Sequence, residues 1–194
     1  MSKFKNICVY CGASQHIEQK HLNATAELGK YLATSNRTLI YGGGKAGNMG
    51  KIADSVLANG GKAIGITPIH IDNFEARHEN LTELHIVSTL HERKMMMAQK
   101  SDAFIVLPGG FGTLDEFFEI LTWKQLGLHN KPIIILNIFG FWDILETLIK
   151  HMINEKFVAP HNLELCDFAT SIEEAFAILE SYELEPEHMK LHKI

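Results

Sequence analysis

The chain has 194 residues, 46% of them apolar, and a formal charge of −5, which is enough to bury a proper core and, at this length, favours one domain. With no basic block, that charge argues against nucleic acid as a partner. No apolar run approaches a membrane span, and Met1-Ser2-Lys3-Phe4-Lys5 leads into a strand pattern rather than a signal peptide, so the expectation is a cytoplasmic protein with small-molecule ligands.

Taken in chain order, apolar runs alternate with amphipathic segments. Strands are predicted at Asn6–Tyr10, Thr38–Tyr41, Ala63–Thr67, Leu84–Val87, Ala103–Leu107 and Pro132–Asn137, with a weaker pattern at Leu165–Phe168. Helices are predicted between them at about Glu18–Ser35, Gly47–Asn59, Leu90–Lys100, Thr113–Leu126, Trp142–Asn154 and Ile172–Ser181. Apolarity is continuous rather than alternating in Phe104-Ile105-Val106-Leu107 and Ile133-Ile134-Ile135-Leu136, as in strands covered on both faces. The fold class that follows is α/β: a single Rossmann-like domain over residues 1–194, its parallel sheet flanked by helices on both faces, with a tail from about Glu183 expected to fray.

In such a sheet ligands bind beyond the carboxyl ends of the strands. The unusual segments fall there: Tyr10-Cys11-Gly12-Ala13-Ser14, the loop Gly42–Gly50, Thr67–Asn80, and Pro108–Thr113. Two of them are glycine-rich turns between a strand and a helix, Tyr41-Gly42-Gly43-Gly44-Lys45-Ala46-Gly47 and Leu107-Pro108-Gly109-Gly110-Phe111-Gly112-Thr113. Glycine lets backbone approach an anion, and the first amides of the following helix lack intrahelical partners, so a nucleotide or sugar phosphate is the natural guest. Gly42, Gly44 and Gly47 match the spacing of a dinucleotide fingerprint, but they follow the second strand and no acidic residue ends the third; the phosphate-loop pattern fails because Lys45 stands where its first glycine belongs. Glycines needed only for tight turns are the alternative for this loop taken alone, and the second glycine turn weakens it.

The helix after the second turn carries Leu114, Phe117, Phe118 and Leu121 at helical spacing, the expected buried stripe, with Glu116 on the opposite side and Asp115 and Glu119 flanking it. First-turn acids are commonly dipole complements; for Glu116 the neighbouring glycine pocket shifts the balance toward chemistry on the sugar. Thr89 and Glu92 have capping-box spacing, which places Arg93 and Lys94 in the opening turns of a helix, where cations are mildly disfavoured. That points to an anionic partner, with local carboxylates the alternative. Met95, Met96 and Met97 read as core or interface filler. Cys8 and Cys11, three apart across a strand, face opposite sides and read as buried structural thiols rather than a redox pair, and the eleven histidines as mostly surface residues; no metal ligand set is visible.

Pro108-Gly109-Gly110-Phe111-Gly112-Thr113-Leu114-Asp115-Glu116 fits a PGGxGTxxE signature and Glu92-Arg93-Lys94-Met95 its companion arginine motif. With Val9–Ser14, Tyr41–Gly44, Met49-Gly50, Ser101–Phe104 and Thr122–Gly127, the chain resembles the LOG family of cytokinin riboside 5′-monophosphate phosphoribohydrolases over most of its length. The resemblance implies hydrolysis of the N-glycosidic bond of a nucleoside 5′-monophosphate to free base and ribose 5-phosphate, with Arg93 and Glu116 as the catalytic pair. It implies substrate contacts at Glu75, Lys94, Gly109, Gly110, Phe111, Gly112, Thr113, Leu114, Asp115 and Thr122, with the loops of Gly12 and Ser14 and of Gly43 and Gly44 assisting. It implies a homodimer and no cofactor or metal. Phe111 stands where many relatives have Tyr, Asp115 where Glu is commoner, and Lys45 follows the glycine triplet, so AMP and N6-substituted adenine nucleotides both remain open. A non-catalytic nucleotide-binding module is the alternative. The lysine decarboxylase label attached to such sequences would need pyridoxal phosphate on a lysine, for which no arrangement is visible.

Overall fold

In a computed structural model the described residues are 3–69 and 76–183. Four consecutive apolar residues, Ile7 to Tyr10, are all buried, so the first strand, β1 (Asn6–Tyr10), is covered on both faces. It heads a chain of alternating elements: α1 (Gln19–Thr34), β2 (Thr38–Tyr41), α2 (Gly47–Ala58), β3 (Lys62–Pro68), β4 (Glu83–Val87), α3 (Leu90–Lys100), β5 (Ala103–Val106), α4 (Phe111–Gln125), β6 (Ile133–Leu136), α5 (Asp143–Asn154), β7 (Asp167–Ala169) and α6 (Ile172–Ser181). Two short 3-10 turns, Ile138–Gly140 and Pro160–Leu165, precede α5 and β7 and have no counterpart in the predicted elements.

All seven strands pair in parallel in the order β4-β3-β2-β1-β5-β6-β7. β1 therefore stands at the reversal point of the winding, with β2 on one side and β5 on the other, in register from Ile7↔Ala103 to Tyr10↔Val106. The single α/β domain buries two cores. One packs Leu28, Leu32, Ile52, Val56 and Phe176 of α1, α2 and α6 against one face of the sheet; the other packs Met97, Phe117, Ile120 and Ile149 of α3, α4 and α5 against the opposite face. Cys11 belongs to the first core and Cys8 to the second, which places the two thiols on opposite faces as their spacing predicts. Apart from Glu183 itself, the segment expected to fray lies outside the described residues.

Among the described histidines, His78 and His129 depart from the expected surface placement through the partners they meet. His78 is buried and its Nε2 meets Asp54 Oδ1 at 3.0 Å. His129 is half-buried: its Nδ1 accepts from Lys131 N–H at 3.1 Å, so its proton sits on Nε2, which donates to the Ile120 carbonyl at 2.9 Å. Burial, reinforced by Lys124 and Lys131, drives its pKa down to about 4, against the opposing pull of the Ile120 bond.

Candidate active site

Because β1 and β5 are neighbours in register, the loops that follow them leave the sheet side by side. Gly12 N–H donates to the Pro108 carbonyl at 3.2 Å. Asn48, at the start of α2 and fully buried, ties both loops to that helix: its backbone N–H donates to Gly12 O at 3.0 Å, its Nδ2 to Pro108 O at 3.2 Å, and its Oδ1 accepts from Thr25 Oγ1 at 3.0 Å. A cavity of about 680 Å³ opens above this junction, lined by Gly12, Ala13, Ser14, Gly109, Gly110, Gly112, Thr113, Arg93 and Glu116 among others. This is where open α/β sheets hold ligands.

The second glycine turn delivers the N-terminus of α4 to the cavity. Gly110 is the N-cap and no side chain caps it, and the first helical bond is Leu114 N–H to Gly110 O at 3.0 Å. The amides ahead of that bond carry the positive end of the helix dipole. Gly109 is required by space: a Cβ there would lie 2.0 Å from Thr113 Oγ1, which folds back over it.

α3 brings the cations. Thr89 Oγ1 caps the helix by accepting from Glu92 N–H at 3.1 Å, while the Glu92 carboxylate accepts from Ser88 N–H at 2.8 Å, one residue earlier than an ideal capping box. Arg93 is then 8% exposed; its Nε donates to the Ile66 carbonyl at 3.1 Å and its Nη1 lies 3.3 Å from Glu116 Oε1. Lys94, the next residue, reaches Asp115 at 3.0 Å and Glu119 at 3.1 Å. Burial works to lower the Lys94 pKa, but its bonds to these two carboxylates outweigh that and leave it raised. Local carboxylates thus answer both cations, the alternative left open by the sequence.

Glu116 is 6% exposed and lies on the buried face of α4 with Thr113, Phe117, Ile120 and Lys124. This corrects the sequence assignment, which put it opposite the buried stripe. Leu114, Phe118 and Leu121 form a neighbouring, half-buried stripe on the second core. The hydropathy pattern chose them because it sends Glu116 and Lys124 outward, whereas Arg93 meets the first and the Leu165 carbonyl accepts from the second at 2.7 Å. Beneath Glu116, burial holds the Cys8 and Tyr10 pKa values far above their ordinary range, with the Glu116 charge adding to both. The core behind the pair is consequently neutral and apolar, which strengthens the electrostatics of the pair.

The first glycine loop contributes indirectly. A Cβ on Gly42 would lie 1.9 Å from Arg93 Nη2, so this glycine makes the room in which the guanidinium sits. Gly43 takes a left-handed φ of 78° and backs onto β3, and Gly44 pairs with Arg77 in an isolated antiparallel bridge; neither lines the cavity. Lys94, Leu114, Asp115 and Thr122 also lie off its wall, Thr122 Oγ1 donating to Phe118 O at 2.7 Å on the exposed side of α4. Phe111 is 93% exposed beside the turn. Glu75 lies outside the described residues.

Residues that sequence reasoning passed over as site residues include Asn48, Ile17, His21 and Phe141, and the way Gly42 makes room for Arg93 was not foreseen. Phe141 follows a turn in which Phe139 has φ 68° and ψ 17°, a left-handed conformation that costs a bulky residue roughly 1–3 kcal/mol. Asn137 braces that turn, donating to Asp143 Oδ1 at 2.7 Å and accepting from Trp142 N–H at 2.7 Å.

Residues 49–179 match the family model described as "Possible lysine decarboxylase". The chain is 41% identical over 181 residues to the cytokinin riboside 5′-monophosphate phosphoribohydrolase LOG3 of Arabidopsis thaliana, covering 93% of this chain and 84% of that one. It is 40% identical over 190 residues to the probable cytokinin riboside 5′-monophosphate phosphoribohydrolase LOGL6 of Oryza sativa subsp. japonica, covering 98% and 75% respectively. Among solved structures, the molybdenum cofactor carrier protein of Chlamydomonas reinhardtii superposes with a TM-score of 0.69 at 22% identity, covering 90% of this chain and 95% of that one. The molybdenum cofactor binding protein of Rippkaea orientalis gives 0.68 at 20% identity, covering 93% and 98%. These two share the fold. The length and level of the sequence matches show that this chain belongs to the LOG family.

Proposed function

We propose that the protein hydrolyses the N-glycosidic bond of a nucleoside 5′-monophosphate, a cytokinin riboside 5′-monophosphate or AMP, releasing the free base and ribose 5-phosphate. The observation that carries this reading is the buried Arg93–Glu116 pair, 3.3 Å apart, on the wall of a cavity that also holds the uncapped N-terminus of α4. The amides of the Gly109–Thr113 turn receive the 5′-phosphate. That anchors the ribose beside Glu116.

Breaking the bond between C1′ and the base nitrogen builds oxocarbenium-like charge on the sugar, which a carboxylate in an apolar setting stabilises while orienting water. Glu116 takes that role. Arg93 faces the departing base and donates a hydrogen bond to it as its electron pair returns to nitrogen. Water supplies the hydroxyl to C1′ and the proton to the base. None of the described residues lining the cavity is a lysine, so these residues offer no attachment point for pyridoxal phosphate and do not fit a decarboxylase.

Two further features belong to this reading. The half-buried stripe Leu114, Phe118 and Leu121, with exposed Met95 on α3 and exposed Leu126 and Leu128 just after α4, supports a homodimer built on α3 and α4. Three free, buried cysteines support a cytoplasmic setting. The test is incubation of the purified protein with AMP and, separately, isopentenyladenosine monophosphate, following base and ribose 5-phosphate by chromatography. Glu116→Gln should lower kcat by about 10²–10⁴-fold with nucleotide binding retained; no release by the folded unsubstituted protein from either nucleotide would leave a binding module instead.

A further inference from the structure

The phosphate seat and the catalytic pair leave one part of the cavity wall without a task. It is formed by Ile17, His21 and Phe141, and Phe141 supplies the only benzenoid ring among the described residues that line the cavity. That ring is firmly held. Trp142, itself buried, meets it edge-on with centroids 4.8 Å apart and planes at 88°, and His21 meets it at 6.0 Å and 79°. His21 is fixed in turn by Phe139, at 5.5 Å and 81°. Phe141 nevertheless remains 46% exposed. A left-handed phenylalanine, an asparagine brace and an imidazole thus cooperate to keep an apolar ring in water at the rim of a ligand cavity. Nothing in the packing of the described residues requires that exposure.

The geometry points to Phe141 as the stacking wall for the purine base of the nucleotide, with His21 at its edge positioned to meet the polar rim of the base. A purine offers two apolar π-faces and a hydrogen-bonding perimeter, and it is recognised by an aromatic face with a polar group at its margin. The charged residues around the glycosidic bond offer no such surface, and Met49 and Leu90, which also line the cavity, offer no planar one. Rigid support matters because a ring already fixed in its binding orientation loses little freedom when the base arrives. Phe141 is thereby a specificity-determining residue. This assignment rests on the nucleotide reading of the site for its ligand, and its test is independent of turnover.

The test is calorimetric titration of AMP and of ribose 5-phosphate, which lacks the base, into the Glu116→Gln protein with and without Phe141→Ala, Phe141→Leu or Phe141→Tyr. Loss of the ring should weaken AMP by about 5- to 100-fold while ribose 5-phosphate is held within about twofold. Tyr should retain AMP affinity and Leu recover only part of it. The assignment is overturned if AMP affinity is unchanged in Phe141→Ala, if AMP and ribose 5-phosphate weaken together, or if AMP does not bind the protein with Phe141 intact. Failure of the hydrolase reading looks different: AMP binds and depends on Phe141, yet the unsubstituted enzyme releases no base.

Discussion

Gly42→Ala isolates the placement of Arg93 from its identity. The backbone at Gly42 lies outside the left-handed region, so alanine is tolerated by conformation and excluded only by volume. Its Cβ would lie 1.9 Å from Arg93 Nη2 and 3.0 Å from Cζ, whereas ordinary contact begins at 3.4 Å. The guanidinium must therefore retreat by about 1.5 Å, the scale at which misplaced catalytic groups lose rate. Because the obstruction is the tip of a side chain, the fold should survive with an overpacking cost of about 1–3 kcal/mol. Retreat strains the 3.1 Å bond to Ile66 O and the 3.3 Å approach to Glu116 together. We expect kcat/KM for base release to fall by about 10²-fold, close to 2.7 kcal/mol of transition-state stabilisation. Initial rates with AMP and isopentenyladenosine monophosphate measure this, with a thermal melt confirming the folded state. In an Arg93→Ala background the same substitution should cost almost nothing more. A folded Gly42→Ala enzyme with unchanged kcat/KM, or one whose loss is additive with that of Arg93→Ala, refutes the reasoning.

Two further outcomes follow from buried polar groups other than Arg93 and Glu116. Asn48→Leu removes the side-chain partner of the Pro108 carbonyl and of the Thr25 hydroxyl, which should cost about 2–4 kcal/mol and lower the melting temperature by roughly 5–15 °C; a calorimetric shift under about 2 °C would contradict the bracing role. His129 has a folded-state pKa of about 4 against an ordinary 6.5, so the unfolded chain binds more protons between those values and stability falls as pH drops through that window. Discounted for its partial exposure, the loss from pH 7 to pH 4 is on the order of 1–2 kcal/mol. Urea unfolding across that range should show this loss in the parent and a flatter dependence in His129→Gln, and equal slopes would refute the assignment.

Much of the fold was legible because burial on both sides of a parallel strand leaves an unambiguous mark. Phe104–Leu107 and Ile133–Leu136 are fully or almost fully buried, and their continuous apolarity says so without any tertiary information. The seventh strand was displaced, at Asp167–Ala169 rather than Leu165–Phe168, because the 3-10 turn over Pro160–Leu165 takes Leu165, the first apolar residue of the predicted run, while Phe168 stays in the strand. Arg93, Glu116 and the glycine turn that lines the cavity could be named from motif and helix-start logic. Their burial could not. Hydropathy sends a glutamate outward unless its partner is known, and Arg93 arrives from another helix. Gly42 was equally opaque: three consecutive glycines look alike until the side chain that crosses one of them is in place. Phe139 defied propensity outright, since the left-handed conformation it adopts is one that phenylalanine seldom takes. The ring-bearing rim behind it therefore left no local signal.

The pairing of Arg93 with Glu116 also governs how the cavity greets a visitor. Among the described residues on its wall these two carry opposite charges and cancel, which leaves Glu18 as the remaining charged carboxylate or ammonium-type group. On the proposed reading, a dianionic ester enters a chamber whose described wall residues carry no surplus cation, and its reception falls to backbone amides whose directions are fixed before it comes. Such a receptor selects by the angles at which oxygens are presented rather than by how much charge they bear. Bulk anions and polyphosphates, which crowd into cationic clefts by attraction alone, gain little foothold in a chamber of this kind, and the tolerance extends to changing salt, since amide dipoles are screened far less than an exposed lysine.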